Sequence, residues 1–396
     1  MLTKRLLEDN PTILDLLQII KVYIYTHLLN LKFKLYSLVI YCYFITMATH
    51  QASVCVKPGH PLILQSRPTP SPASNEILIK IHAIALNPID YSQRDKNLPP
   101  VQPSSSQESC AVLGCDVSGT VVANGPEVSH PLDVGTRVLS FATSYYHDGS
   151  PDYGAFQEYA LVSSELVAPM PDDMTFDQGA IVPVALVTAL TGFTTIGIPI
   201  STKYTPDDKE AILIWGGSSS VGSFAVQTSK ALGFTVYATA GEQNLDLVKG
   251  LGADAVFDHK ALDVVEQIIN KAKTDGVNLS TAQVAVEGTL QQTLDVLAET
   301  KGSRRAMVAH APLLPDDHPT LEDCEIRFNY PPLDKEERNK HFYECFRVWL
   351  PKAFDRKEIV PSPRIQCVEG GLTAINGGLD VLRFGVSGTK IVIPLQ

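Results

Sequence analysis

The chain has 396 residues, of which 44% are hydrophobic, so it can bury large cores, and two domains of ordinary size are expected. Its formal net charge of −11 and pI near 5.4 exclude the clustered basic surface on which nucleic acids bind. The seven cysteines include no CxxC pair, which indicates reduced thiols in an intracellular protein, and we therefore expect a cytoplasmic location and a small-molecule partner.

The first 46 residues differ in composition from the rest of the chain. They contain no glycine, and the apolar run from Leu35 to Met47 is shorter than the roughly 20 residues that a membrane span requires. Met47 stands immediately before the first recognisable strand, so we interpret 1–46 as a gene-model artefact and place the start of the product at Met47. The alternative is a membrane anchor, and contact with a membrane is expected only in that case.

Residues 47–176 show short strands separated by turns. Glu76–Leu86 alternates and is rich in β-branched residues, which is typical of a strand, and it leads directly into Asn87-Pro88-Ile89-Asp90. Short strands with Gly and Pro turns indicate a barrel-like β domain. The predicted strands are 52–57, 62–64, 76–86, 117–123 and 137–141.

From about residue 177 the pattern becomes that of an α/β domain. Residues 176–196 can carry helices, and 211–215 is a short, wholly apolar strand. A Gly-rich loop, a helix at 223–232 and a strand at 235–239 complete a βαβ unit, which predicts a doubly wound parallel sheet. Further predicted elements are strands at 255–257, 284–286 and 306–308, helices at 342–354 and 371–383, and a last strand at 390–394.

The Gly-rich loop after the apolar strand is the strongest chemical signal in the sequence. Small residues between a buried strand and a helix start let backbone N–H groups approach a pyrophosphate, and the helix N-terminus adds partial positive charge. The spacing is not GxGxxG, but the strand-loop-helix setting predicts a dinucleotide site. The residues assigned to it are Gly216, Gly217, Ser218, Ser219, Ser220, Val221 and Gly222.

The end of the following strand bears on the choice of cofactor. NAD enzymes place an acid there for the ribose 2′-hydroxyl, but no carboxylate stands at Thr239-Ala240-Gly241. The small polar residues Thr239, Gly241 and Asn244 better accommodate a 2′-phosphate, which favours NADPH over NADH. A shift of register to Glu242 would restore an acid.

The chain after Met47 resembles the medium-chain dehydrogenase/reductase superfamily, and within it is most similar to fungal trans-acting enoyl reductases and proteins labelled as zinc-binding alcohol dehydrogenases. The resemblance covers nearly the whole chain and rests on several blocks in the same order. These blocks are GHPLIL, NPID from Asn87, GCDVSGTVVANG from Gly114, DVGTRVLSF from Asp133, GAFQEY from Gly154, MPDDMTFDQGAIVP from Met170, the loop at 216–222 and LGADAVFDH from Leu251.

The resemblance implies an α/β fold with a GroES-like β-barrel catalytic domain and a Rossmann doubly wound parallel sheet. It assigns residues 47–176 to the catalytic domain and residues 177–340 to the NADP-binding Rossmann domain. Residues 341–396 are then expected to return to the catalytic domain.

Departures from the family pattern argue against a catalytic zinc. A catalytic zinc needs about three soft or imidazole protein ligands and an open position. In this chain Asn87 replaces the first Cys, Gly114-Cys115-Asp116 replaces the GHE block, and the region of the third ligand, Pro183–Leu186, is apolar. We therefore expect no bound metal. The ten histidines show no ligand spacing, and His310 is expected in a solvated loop.

Four residues are candidates for the reaction centre. The resemblance places Asn87, Asp90 and the segment 187–191 nearest the nicotinamide. Tyr91 is either a proton donor or a packing residue, and Thr188 either binds nicotinamide or caps a helix. Asp90 either orients a substrate or pairs with Arg94.

The loop Gly385–Lys390 is a further candidate for cofactor contact. In relatives this loop closes over the cofactor, which would bring in Val386 and Lys390. A plain turn before the last strand is the alternative.

The resemblance implies hydride transfer from NADPH to the β carbon of an α,β-unsaturated thioester or ketone. Without a Lewis acid, an activated C=C bond is a better acceptor than a ketone, because its charge spreads onto a remote carbonyl. The leading hypothesis is a trans-enoyl reductase or dehydrogenase of secondary metabolism, acting on a polyketide thioester carried by a synthase. The alternatives are a stand-alone quinone or enone oxidoreductase and a non-catalytic NADPH-binding protein of the same fold.

Overall fold

The computed structural model describes residues 48–98, 111–147 and 149–395, and the single positions Tyr25 and Lys32. The interpretation of residues 1–46 falls almost wholly outside this part of the chain. From His50 onward the described residues form one unit.

The strands of this unit belong to three sheets. One sheet has three strands in the order β2-β1-β4, and a second has the order β15-β16-β3-β5-β6-β8 with β7 also paired to β3. The third has six strands in the order β11-β10-β9-β12-β13-β14. The strands are β1 (Thr49–Cys55), β2 (Ile63–Pro68), β3 (Glu76–Ala85), β4 (Ala111–Val112), β5 (Asp116–Asn124), β6 (Arg137–Phe141), β7 (Tyr159–Ser163), β8 (Val167–Pro169), β9 (Glu210–Trp215), β10 (Thr235–Ala240), β11 (Ala255–Asp258), β12 (Asn278–Val284), β13 (Ala306–His310), β14 (Cys324–Phe328), β15 (Arg364–Cys367) and β16 (Thr389–Pro394).

The helices lie mostly between the strands of the third sheet and after it. A π-helix, Glu344–Trp349, joins two of them, and a short 3-10 helix, Ser144–His147, follows β6. The α-helices are α1 (Pro88–Lys96), α2 (Phe176–Ala180), α3 (Pro183–Thr195), α4 (Ser220–Leu232), α5 (Leu245–Gly250), α6 (Val264–Asp275), α7 (Leu290–Thr300), α8 (Lys335–Tyr343), α9 (Leu350–Asp355) and α10 (Ile375–Phe384).

The six-stranded sheet is parallel throughout and is doubly wound. Successive side chains of β9 point to opposite faces: Ile212 and Ile214 join one core with α3 and α4, while Leu213 joins a second core with α6 and α7. Burial on both faces requires the wholly apolar sequence that β9 has. The strand order reverses between β9 and β12, which is the point where ligands bind in such sheets. The predicted fold class is confirmed.

The second sheet brings the end of the chain back to its beginning. Strand β3 pairs antiparallel with β5 along one edge, and along the other edge with β7 and then with β16, where Ala85 lies opposite Val392. The segment predicted to return to the catalytic domain therefore supplies a strand next to β3. The exact domain bounds stay a prediction.

Some predicted elements were wrong. The strand predicted at 284–286 is β12, which ends at Val284 and begins six residues earlier, because buried polar residues such as Ser280 and Gln283 hide it from a hydrophobicity pattern. The single helix predicted at 342–354 is divided among α8, the π-helix and α9. Strand β14, with the charged sequence CEIRF, was missed.

Among the described residues, one helical stretch, Phe176–Thr195, is long and apolar enough to span a membrane by length and composition. Of its most apolar window, 72% is buried inside the protein. This stretch, formed by α2 and α3, is therefore a core element of the fold.

Candidate active site

The Gly-rich loop between β9 and α4 is fixed by the end of β10. The N–H of Gly216 donates to the hydroxyl of Thr239 (3.0 Å), and the N–H of Gly217 donates to the carbonyl of the same residue (2.7 Å). Gly216 has a φ of +91°, which favours glycine. A Cβ on Gly222 would collide with the carbonyl oxygen of Gly216, so the loop closes too tightly for any side chain there.

The same loop begins helix α4 with its amides available to a ligand. The hydroxyl of Ser219 caps the helix by accepting from the N–H of Gly222 (3.0 Å). The amides of Ser220 and Val221 stand in the first turn, where no acceptor exists within the helix. Small side chains, a tight approach of the backbone and a helix N-terminus fit a dinucleotide pyrophosphate.

The residues predicted after β10 lie beside the C-terminal segment. Asn244 is fully buried, and its amide donates to the hydroxyl of Ser387 (2.9 Å). Its carbonyl oxygen accepts from Arg364 (2.9 Å), an exposed residue that begins β15. A Cβ added to Gly241 would make only an ordinary van der Waals contact, with the ring of His259 at 3.5 Å. Arg364 was missed because 120 residues separate it from Asn244.

The loop Gly385–Lys390 connects this region to a second polar cluster. Ser387 contacts Asn244, whereas Val386 packs against the barrel core. The ammonium of Lys390 lies in the cluster around Asn87, and the side chain is only 3% exposed.

This cluster joins three buried residues from distant parts of the chain. The ammonium of Lys390 donates to Asn87 Oδ1 (2.6 Å) and to Asp116 Oδ2 (3.0 Å). The amide of Asn87 donates to the same oxygen of Asp116 (2.9 Å). The other oxygen, Oδ1, accepts from the N–H of Val184 at the start of α3 (2.7 Å). Asp116 thus lies between an ammonium and the positive end of a helix.

Asp90 and Cys115 border the cluster. Asp90 Oδ2 accepts from the N–H of Asn87 (2.7 Å), and its Oδ1 has no hydrogen-bond partner among the residues that the structure describes. Burial raises the pKa of Asp90 to about 7. Burial, together with the neighbouring carboxyl groups of Asp90 and Asp116, also raises the pKa of the Cys115 thiol. A carboxyl with this pKa can hold or release a proton near neutral pH.

The structure resolves two alternatives about neighbouring residues. Arg94 pairs with Asp95 and Asp380, both at 2.7 Å, so the predicted pairing of Asp90 with Arg94 was wrong. Thr188 lies in the middle of α3, so its predicted role as a helix cap was also wrong. Tyr91 lies in α1 and packs against the barrel core, which supports the packing alternative for this residue.

The donor set at the family's zinc position does not fit zinc. A catalytic zinc would need about three ligands there, but Asp116 already accepts from Lys390, Asn87 and the start of α3. An ammonium in the cluster would also repel a divalent cation. The charge that a metal would neutralise is neutralised by Lys390.

His310 differs from expectation. It ends β13 and is buried, where a solvated loop was expected, because β13 extends two residues beyond the predicted strand. Its Nδ1 donates to the carbonyl of Pro312 (2.8 Å), and burial lowers its pKa, so the ring is neutral and Nε2 is an acceptor. The ring stands at the carboxyl edge of the sheet.

Comparison with known proteins agrees with this architecture. Residues 73–172 match the alcohol dehydrogenase GroES-like domain, and residues 220–310 match the zinc-binding dehydrogenase family. The trans-enoyl reductase tndF of Aspergillus flavipes is 54% identical over 346 residues, which cover 87% of this chain and 99% of tndF.

Two solved structures share the fold. The CurK enoyl reductase superimposes with a TM-score of 0.67 at 19% identity, covering 88% of this chain and 99% of its own. A mycobacterial protein complexed with NADPH gives a TM-score of 0.64 at 22% identity, covering 87% and 100%. The predicted resemblance and the assignment as an oxidoreductase are confirmed. The chain belongs to the medium-chain dehydrogenase/reductase superfamily and, within it, to the family of the fungal trans-enoyl reductases.

Proposed function

We propose that this chain is an NADPH-dependent trans-enoyl reductase of secondary metabolism, acting in the cytoplasm on a polyketide-type enoyl thioester held by a carrier protein. The observation that carries the proposal is the Asn87–Asp116–Lys390 cluster at the family's zinc position. This donor set supports reduction of an activated C=C bond, whose developing charge spreads onto its own carbonyl. The 54% identity to a trans-enoyl reductase supports the same reaction.

The cofactor site is built from the Gly-rich loop at 216–222 and the residues after β10. When bound, the reduced nicotinamide supplies a hydride to the β carbon of the substrate. Loop amides and the start of α4 would hold the pyrophosphate. Arg364, anchored by Asn244, supports a 2′-phosphate near the end of β10, which favours NADPH.

Predicted roles near the reacting bond remain proposals for Asn87, Asp90, Tyr91 and Thr188. An ammonium group only donates hydrogen bonds, so Lys390 holds the oxygen of the Asn87 amide toward itself and fixes that amide in one orientation. This contact supports a positioning role for Lys390. Asp90 supplies a nearby carboxyl that titrates around pH 7.

The test is NADPH oxidation by the full chain after dialysis against a chelator, with 2-enoyl thioesters of N-acetylcysteamine and of a carrier-protein phosphopantetheine, quinones and aldehydes as acceptors. Chelator-resistant reduction of the enoyl thioesters is expected, faster on the carrier protein. Preference for quinones would favour the stand-alone oxidoreductase. Binding of NADPH without turnover of any acceptor would favour the non-catalytic protein. Zinc-dependent activity on aldehydes alone would overturn the proposal.

Cofactor choice has its own prediction. Arg364→Gln removes the positive charge at the proposed 2′-phosphate contact. The Kd for NADPH should therefore rise about tenfold, as expected for the loss of one charge-assisted contact of about 1.4 kcal/mol, while the Kd for NADH stays constant. Nucleotide fluorescence titrations measure both constants. Arg356→Gln, at an exposed position on the C-terminal side of α9, is the matched control. Equal weakening for both nucleotides would contradict the assignment.

A further inference from the structure

A polar contact joins the residues after β10 to the C-terminal segment. Asn244 ends a short 3-10 helix, Glu242–Asn244, and is fully buried. Its Nδ2 donates to Ser387 Oγ (2.9 Å), and Gln243 Nε2 donates to the same hydroxyl (3.0 Å). Its Oδ1 accepts from Arg364 Nη1 (2.9 Å). Asn244 therefore holds two parts of the C-terminal segment with one amide group.

Gly388 completes this contact. It has a φ of +59°, and an added Cβ would collide with the side-chain amide of Asn244, so the backbone passes directly over that amide. The carbonyl of Gly388 accepts from the N–H of Arg364 (3.2 Å). We refer to Asn244, Arg364, Ser387 and Gly388 as the joint. Its members fix one another through both side chains and backbone.

The joint is connected to the reaction centre through paired strands. Strands β15 and β16 run parallel, and Ile365, which follows Arg364, lies opposite Lys390. Lys390 comes soon after Ser387 in the chain, and its ammonium donates to Asn87 Oδ1 (2.6 Å). Paired strands and hydrogen-bonded side chains of this kind can carry coupling between two sites. A displacement of the joint would therefore reach the amide of Asn87.

We propose that Asn244 is a positioning residue that couples recognition of the NADPH 2′-phosphate to the placement of Lys390 in the reaction centre. The inference rests on the proposed function, in which Arg364 contacts that phosphate. A phosphate bound by Arg364 fixes the guanidinium and the start of β15. Asn244 and Ser387 then hold the start of β16 in the matching position. The 2′-phosphate thus raises the rate of hydride transfer as well as the affinity for the cofactor.

The strength of the contacts suits the joint to this role. Ser387 is exposed, and both of its hydrogen bonds to the residues after β10 are between side chains, which add only modestly to stability. The joint can therefore open without unfolding the sheet. A ligand that binds the closed joint more tightly shifts the population toward it. The 2′-phosphate is such a ligand, because its proposed partner Arg364 is anchored by Asn244 when the joint is closed.

The first measurement is hydrogen–deuterium exchange of the full chain saturated with 2′,5′-ADP or with 5′-AMP. Only 2′,5′-ADP carries the 2′-phosphate, and neither nucleotide contains the nicotinamide half of the cofactor. Peptides that contain Arg364 report on the joint, and peptides that contain Asn87 report on the reaction centre. With 2′,5′-ADP, exchange of both peptides should be about fivefold slower or more than with 5′-AMP, as expected for an ordinary coupling between two sites.

A single variant separates the phosphate contact from the coupling. Ser387→Ala removes the acceptor of Asn244 Nδ2 but keeps the bond between Asn244 and Arg364. This variant should still bind 2′,5′-ADP and protect the Arg364 peptide, but the protection of the Asn87 peptide should be lost. Thr389→Val is the matched control, because the hydroxyl of Thr389 donates to the carbonyl of Ser387 within the same loop. Peptides from β9 check that each variant is folded.

The second measurement is the rate of hydride transfer to a 2-enoyl thioester in a single turnover at saturating NADPH or NADH. The wild type should be about fivefold faster or more with NADPH. Ser387→Ala should transfer hydride from NADPH only as fast as the wild type does from NADH, and Thr389→Val should behave as the wild type.

Three results would overturn the coupling: equal protection of the Asn87 peptide by the two nucleotides in the wild type, full protection of that peptide in Ser387→Ala, or equal hydride-transfer rates from NADPH and NADH in the wild type. The exchange measurement needs no acceptor, so it also separates the two proposals. A chain that shows the exchange effect but reduces no thioester would refute the proposed function and support the coupling. A chain that reduces the thioester without the exchange effect would do the reverse.

Discussion

The pair formed by Lys390 and Asp116 is the most consequential contact at the scale of single residues. Both side chains are almost completely buried, and breaking such a pair by removing one partner leaves an uncompensated charge. Lys390→Met should therefore lower the free energy of unfolding by about 3–5 kcal/mol, measured by urea denaturation.

The matched control for this prediction is Lys230→Met. Lys230 pairs with Asp254 at a similar distance of 2.9 Å, but both side chains are more than one third exposed, so a loss below about 1 kcal/mol is expected. The double variant Lys390→Met with Asp116→Asn should recover part of the lost stability. Equal losses of unfolding free energy in Lys390→Met and Lys230→Met would show that the buried pair contributes no more to stability than the exposed pair.

Asp90 gives a prediction about pH. Its pKa rises from 3.8 to about 7 on folding, so between these values the folded chain holds a proton that the unfolded chain has released. Stability should therefore fall as the pH rises through this window, by at most about 1.4 kcal/mol per pH unit, and level off above pH 7. Asp90→Asn should remove this fall.

The wild type must be compared with Asp90→Asn because the titration of His341 changes the stability in the opposite direction. Burial lowers its pKa to about 4, so its contribution to stability grows between about pH 4 and 6.5. Urea denaturation of both chains at several pH values between 4.5 and 8 isolates the part that belongs to Asp90. Parallel curves for the two chains would contradict the raised pKa.

At the scale of elements, the loop between β9 and α4 depends on a contact that only glycine allows. Gly222→Ala places a methyl group against the carbonyl of Gly216, so the loop must open. We expect NADPH affinity to fall at least tenfold in a fluorescence titration, because the amides that would hold the pyrophosphate move with the loop.

Gly377→Ala is the control for this loop. Gly377 lies in α10 with no atom within 4 Å of an added Cβ, and alanine should stabilise the helix by up to about 1 kcal/mol. Its NADPH affinity should equal that of the wild type. Wild-type affinity in Gly222→Ala would show that the loop does not hold the cofactor.

The sequence predicted elements well where the signal was local. The apolar β9, the Gly-rich loop and α4 lie within 23 residues of one another, and the alternation of β3 is visible in its own ten residues. Strand β14 was missed because its charged side chains lie on a sheet edge, where burial does not impose an apolar pattern.

The candidate site was predictable only in part, because several of its contacts join residues that are far apart in the sequence. Asn87 and Asp90 were found from one motif, but their partner Lys390 was assigned to the cofactor loop, because no short-range pattern shows which buried carboxylate an ammonium will meet. The contact of Arg364 with Asn244 likewise exists only once β15 has paired with β16.

At the scale of the whole molecule, one unit begins at His50, close to Met47. A chain that starts at Met47 keeps all of β1, so we expect its midpoint of thermal unfolding to lie within about 2 °C of that of the full chain and its NADPH affinity to be equal. Differential scanning calorimetry and fluorescence titration check both. A lower midpoint, or loss of vesicle binding that the full chain shows, would support the anchor interpretation of residues 1–46.

The pairing of β16 with β3 has a consequence for biosynthesis. The ribosome completes β3 about 300 residues before the strand that must lie beside it, since Asn87 and its partner Lys390 are separated by 303 in residue number. Until then, one edge of β3 lacks this neighbour and Asp116 lacks its counter-ion, so the nascent chain depends on protection from aggregation. A transcript truncated even slightly before codon 389 would yield a protein with its cofactor loop complete but its reaction centre unassembled.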